Sequence, residues 1–202
     1  MNLIVAQTVI PDFGGGENSC VRKNSGFCWN WVQDNWSDVL WPAVKQHVAL
    51  TAIAVVIGFV IAFGLALLAH RRRGFEAPTT VITGILYTIP SLALFQILVG
   101  FSFLGLNRLT VEIALVSYTL LILFRNTLAG LRSVPPDVRE AAEGMGLTNR
   151  QILLKVELPL ALPAVFAGLR VATVTVISLA TVAAFIVHYI AVSFAVYSHP
   201  PV

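Results

Sequence analysis

Val48 to Ala69 reads VALTAIAVVIGFVIAFGLALLA, without one charged residue. About 20 mostly apolar residues in a helix cross the roughly 30 Å hydrocarbon core of a bilayer. Three further stretches meet the same test. Pro78 to Leu106 is uncharged and reads either as one long tilted helix or as a helix broken near Pro90. Thr110 to Ala129 carries Glu112 near one end and Arg125 near the other, and Leu160 to Tyr189 is interrupted by Arg170. These runs predict an all-α integral membrane protein with at least four spans, four to six in all. Composition agrees: the 202 residues are 57% hydrophobic and 11% charged, with a mean hydropathy of +0.82. Soluble domains have roughly 45–50% apolar and about 25% charged residues, so a soluble enzyme is excluded.

Charge placement sets the expected orientation. Basic residues gather on the cytoplasmic side of short loops. Arg71, Arg72 and Arg73 follow the first span directly, and alternation then puts Arg132, Arg139, Arg150 and Lys155 on the same inner side. Arg22, Lys23, Lys45 and Arg108 fall outside. The N-terminus is therefore expected outside. Leu3–Ile10 is mostly apolar, but no basic segment leads into it and no small-residue cleavage site accompanies it, so it does not read as a signal peptide. The net charge of +3 is too small and dispersed for a nucleic-acid surface.

Three regions follow: an extracytoplasmic segment over 1–42, a membrane domain over 43–189 and an atypical tail over 190–202. The first holds Trp29, Trp31, Trp36 and Trp41. Tryptophan favours the headgroup level, which makes this segment an interfacial anchor; an aromatic box for a quaternary ammonium group is the other reading. Cys20 and Cys28 share the outer side, where a disulfide is chemically allowed. His47, His70 and His188 sit near span ends and read as interfacial rather than as ligands. No phosphate-cradling G-x-x-x-x-G-K-[ST], no H-E-x-x-H and no metal-finger cysteine spacing occurs. No cofactor and no metal site is expected.

Residues 133–159, SVPPDVREAAEGMGLTNRQILLKVELP, contain dense helix punctuation. Pro135 and Pro136 can open a helix, and Asp137 and Glu140 lie near its positive end. Gly144 and Gly146 can close it. Thr148 with Gln151 forms a capping box for a second helix, flanked by Leu147 and Ile152 at the staple positions. Leu158-Pro159 should stop that helix, because a residue before proline disfavours the α region. The small Ala141 and Ala142 would let another protein's backbone come close, with Arg139 and Glu140 offering charge-assisted hydrogen bonds at the edge. Composition alone fits an ordinary amphipathic connector equally well.

The segment resembles the EAA loop of ABC-transporter permeases: Glu140-Ala141-Ala142, three residues, Gly146, nine residues, Val156 in the usual Ile position, one residue, Leu158-Pro159. Tyr87-Thr88-Ile89-Pro90-Ser91-Leu92-Ala93-Leu94 and the run from Val156 to Pro163, followed by Ala167-Gly168-Leu169-Arg170, resemble the glycine betaine/osmoprotectant permeases. The resemblance covers roughly residues 45–185. It implies a type I ABC-importer helical bundle in the cytoplasmic membrane of a bacterium or archaeon. It also implies an ATP-binding subunit docked on Glu140, Ala141, Ala142, Gly146, Val156, Leu158 and Pro159, an extracytoplasmic substrate-binding protein, and a second permease subunit, identical or not. The cargo would be glycine betaine, choline, carnitine or a proline-like osmolyte. An importer of another solute such as methionine, or a non-transporting adaptor, are the rival readings.

Pro90, Ser91 and Arg170 are candidates for the translocation pathway, since broken helices and intramembrane charges mark such sites. For Arg170 a packing or ion-pair role near the inner surface is the alternative. After Phe185 the family pattern is expected to lapse: no glycine follows Gly168, and the apolar stretch after His188 is about nine residues, too short to span. A truncated, frame-shifted or divergent terminus is expected there.

Overall fold

The computed structural model describes residue 20 and residues 27–101, 105 and 107–198, with side chains placed up to residue 184. Every regular element among them is helical. In chain order these are α1 (Trp29–Asp34), α2 (Trp41–Arg71), α3 (Glu76–Thr88), α4 (Ser91–Gly100), α5 (Arg108–Arg132), α6 (Pro136–Gly144), α7 (Asn149–Ile152) and α8 (Leu158–Ser198). The chain divides into two compact units, Met1–Val48 and Ala49–Val202.

In the first unit Cys20 and Cys28 are joined by a disulfide. Trp36 and Trp41 stack with centroids 6.4 Å apart, and the Lys45 ammonium lies 5.8 Å from the Trp41 ring. Trp29 pairs with Phe27 instead. The tryptophans therefore form no single box, and Trp29, Trp36 and Trp41 are all exposed.

In the second unit α5 is the hub. The buried stripe of α2 is made of small residues: Thr51, Ala54, Gly58, Ala62, Ala66 and Ala69. Lipid tails are as apolar as leucine, so helices in a bilayer associate through close packing, which small side chains permit. A Cβ on Gly58 would lie 1.8 Å from the Thr119 hydroxyl of α5. Ala54 joins Leu115 in one core cluster, and Ala62 and Ala66 join Leu123 and Leu128 in the next. The order of these contacts makes α2 and α5 parallel. Helix α8 runs the other way: Gly130 meets Ala161, Gly168 meets Asn126, and Leu115 clusters with Val176 and Ala180. Glu112, placed by its sequence position at a span end, is buried.

Among the described residues, three helical stretches are long and apolar enough to cross a membrane: Trp36–Arg71, Arg108–Arg132 and Asn149–Ala184. The stretch from Pro78 onward is the broken alternative. Arg73–Thr88 and Ser91–Gly100 are bent by 94°, and counting this pair as one span gives four. The break is chemical in origin. Ile89 precedes Pro90 and is extended, with φ −64° and ψ 127°, as the proline ring demands. Its carbonyl accepts a hydrogen bond from the Tyr118 hydroxyl of α5, while the Pro90 carbonyl accepts from Leu94 N–H. In a bilayer freed backbone groups need such partners inside the protein.

One boundary differs from expectation. The chain does not stop at Leu158-Pro159. A π-helical turn over Leu153–Glu157 leads straight into α8, and the Leu158 N–H bonds to the Leu153 carbonyl. The wider turn gives the Pro159 ring room that a regular α-turn would deny it.

Gly130 and Gly64 set up a paired prediction. A Cβ on Gly130 would sit 2.9 Å from the Ala161 carbonyl oxygen and from Ala164 Cβ, whereas nothing lies within 4 Å of one on Gly64. Gly130→Val should destabilise the purified protein by about 1–3 kcal/mol through overpacking, read as a lower melting temperature in detergent. Gly64→Ala should leave that temperature unchanged or raise it.

Candidate functional site: the loop end of the bundle

The helix punctuation in residues 133–159 folds largely as its chemistry directs. Pro136 is the first residue of α6, where a missing N–H costs nothing. The helix closes on a Schellman motif: Gly146 N–H bonds to the Glu143 carbonyl and Leu147 N–H to the Ala142 carbonyl. Gly146 has φ +80°, the left-handed conformation that this cap requires. Gly144 is simply the last helical residue. The Thr148–Gln151 capping box is present in both directions and starts α7.

Apolar contacts fasten the loop to the bundle. Leu153 and Ala161 cluster with Leu131 at the end of α5, with Leu67 and Leu158 packed against them. Ile152 is buried, and Ala142 is 1% exposed. The outward side of the α6 turn carries Glu140, Ala141 and Met145, the last 72% exposed. Val156 and Leu158 are half-buried and Pro159 is exposed. The matched positions thus divide. Glu140, Ala141 and Pro159 are exposed, Gly146 makes the turn, Ala142 is buried, Val156 is half-buried, and Leu158 packs against Leu131, Leu153 and Ala161.

Charges finish the attachment. Arg139, expected to offer hydrogen bonds at the edge of the loop, makes two within the fold while its side chain stays 45% exposed. Its Nε donates to Glu143 at 3.2 Å and its NH1 to Glu157 at 3.2 Å. The other Glu157 oxygen lies 3.0 Å from His70 Nε2, at the end of α2. Arg132 donates to Glu76 at 2.7 Å, tying the end of α5 to the start of α3. A recess of about 330 Å³ opens beside this network, lined by His70, Arg73, Arg132, Arg139 and Glu157 among others. The sequence reading gave Glu157 and Met145 no role and took His70 only as interfacial. Residues 70 and 157 are 87 apart, and no local spacing joins them.

The other candidates lie apart from this end. Pro90 and Ser91 form the α3–α4 break. Arg170 is exposed on α8, turned away from the packed stripe of Gly168 and Ala172, and makes no ion pair among the described residues. No cluster of metal-ligating side chains occurs among the described residues. His188 and the tail lie where side chains are not described, although α8 continues to Ser198.

A bundle of apolar helices with one broken pair, closed at one end by a capped helix–turn–helix, is the architecture of a membrane-embedded helical protein. The chain belongs to the family of binding-protein-dependent transport system inner membrane components, whose match covers residues 54–197. The match runs past Phe185, where the pattern was expected to lapse. A choline transport system permease protein of Bacillus subtilis is 33% identical over 155 residues, covering 77% of this chain and 70% of its own. An osmoprotectant import permease protein of Salmonella typhimurium is 40% identical over 144 residues, covering 70% and 67%. A carnitine transport permease protein of Listeria monocytogenes is 36% identical over 141 residues, covering 70% and 64%. The protein is a multi-pass component of the cytoplasmic membrane.

Gly146 carries the sharpest prediction here. Its Cβ position is open, so a substitution meets only backbone strain. Left-handed backbone costs about 1–2 kcal/mol for an ordinary residue and little for asparagine. Gly146→Val should make the 136–159 segment markedly more sensitive to limited proteolysis in native membranes, and Gly146→Asn should not. Equal digestion of the two would show that the turn does not depend on this conformation.

Proposed function

We propose that this chain is the permease subunit of an ATP-driven importer of osmoprotectants such as glycine betaine, choline, carnitine or proline-like solutes. The observation that carries the reading is the α6–Gly146–α7 element. It is capped at both ends of its turn, fastened to three spans, and leaves Glu140, Ala141 and Met145 facing out. A flexible thioether beside small residues suits docking against another protein's backbone. The partner would be an ATP-hydrolysing subunit. Nucleotide-driven closure would move α6 and rock the spans between inward-open and outward-open arrangements.

The same reading makes the loop end cytoplasmic. Arg71, Arg72, Arg73, Arg132, Arg139 and Arg150 all belong to that end or its adjoining loops, in keeping with the inner-side excess of basic residues. The disulfide between Cys20 and Cys28 belongs to an oxidising, extracytoplasmic compartment. A substrate-binding protein would deliver cargo on that side, and a second permease subunit, identical or related, would complete the pathway. Pro90, Ser91 and Arg170 are proposed to line it. The tryptophans of the first unit anchor it in the headgroup layer.

Two measurements check this reading. Radiolabelled glycine betaine uptake is followed in cells lacking their own osmolyte importers, expressing this chain with its ATPase and binding-protein partners. Saturable uptake, competed by unlabelled choline or carnitine, is the expected result. Uptake of methionine alone would assign another cargo, and assembly with the ATPase without any uptake would mark an adaptor. Orientation is read separately with a membrane-impermeant maleimide, which should label Cys20 and Cys28 in intact cells only after reduction. Labelling that requires permeabilised cells would reverse the topology.

A further inference from the structure

Glu157 stands at a junction that the docking motif does not include. Its side chain is 5% exposed. One carboxylate oxygen meets His70 at the inner end of α2, and the other accepts from Arg139 on α6. Its own backbone closes the π-turn that becomes α8. A single buried carboxylate therefore joins three elements: the docking helix, the first span and the last span. Arg139 is held on the α6 side by its second bond, to Glu143. The Arg132–Glu76 pair ties the remaining span ends together, but it is more than a third exposed at both partners and touches no part of α6.

We propose that Glu157 is the positioning residue that passes movement of the docking helix to the first and last spans. The proposal rests on α6 being the element that the ATPase subunit moves. Apolar packing by Leu153 and Leu158 holds the loop in place, yet such contacts slide as easily as they push. Two charge-assisted hydrogen bonds, one to each carboxylate oxygen, hold a tighter geometry. When α6 shifts, Arg139 moves with it, and Glu157 cannot keep both bonds unless α2 and the root of α8 follow. Leaving either bond unmade would strand a buried carboxylate, which is costly, so the elements move as one. The coupling is thus carried by contiguous ion-pair contacts between packed elements.

The test uses the assembled transporter in proteoliposomes, with ATP hydrolysis and glycine betaine uptake measured on the same sample. Glu157→Ala should assemble with the ATPase subunit and lower the uptake per ATP hydrolysed by about tenfold, within the roughly 5–150-fold span of allosteric couplings. Arg139→Ala should do nearly the same, and the double variant should be no worse than Glu157→Ala alone. Should Glu157→Ala fail to assemble, Glu157→Gln keeps the shape and one acceptor, and should lower the ratio by a smaller factor. An unchanged ratio in an assembled Glu157 variant, or additive losses in the double variant, overturns the proposal. Gly146→Val separates the two levels: if it too leaves the ratio unchanged, the docking reading itself fails; if it uncouples while Glu157→Ala does not, only the role of Glu157 falls.

Discussion

Gly130 meets the Ala161 carbonyl and Ala164 with no room for a side chain between them, and Gly58 and Gly168 do the same at Thr119 and Asn126. Because surrounding lipid is as apolar as any helix face, burial of hydrocarbon cannot choose how these helices pair; closeness of approach can. The three glycines choose it. They put α5 at the centre, α2 parallel to it and α8 antiparallel, which brings the α2, α5 and α8 ends together at one place. The helix–turn–helix element, the His70–Glu157–Arg139 network and the basic recess all follow from that convergence.

The break at Ile89–Pro90 is the second consequence. A proline in a span frees backbone groups, and a bilayer offers them no water. Tyr118 supplies the Ile89 carbonyl with a donor from the central helix, so the bend is held by α5 rather than merely tolerated. The bend is thereby a fixed feature of the bundle, tied to its central helix at Tyr118.

Much of this was legible from residue pattern. The spans stood out because uncharged runs of that length have few other physical uses, and α6, its glycine turn and the capping box followed from local chemistry at Pro136, Gly146, Thr148 and Gln151. What local chemistry could not show was pairing at a distance. The Arg139–Glu157 bond was not legible, because the two residues become neighbours only through the fold. Leu158-Pro159 looked like a helix stop because the residue before proline avoids the α region in isolation; a π-turn upstream removes the conflict, and no residue pattern announced it. Pro90 marked a break but not its 94° angle, which depends on Tyr118 and the packing of Leu94 and Phe95 on the hub. The tryptophans were legible as surface aromatics, while their sorting into separate pairs was not.

The proposed docking end is tested most directly by site-specific cross-linking. With Cys20 and Cys28 replaced by serine, Ala141→Cys is expressed with the ATPase subunit and treated with a short thiol cross-linker in native membranes. A cross-link to that subunit, with a yield that changes on addition of ATP, is the expected result. A cysteine replacing Arg108, at the opposite end of α5, should give none. No product at 141 alongside a clear one at 108 would put the ATPase on the other face of the membrane and contradict both the docking site and the orientation.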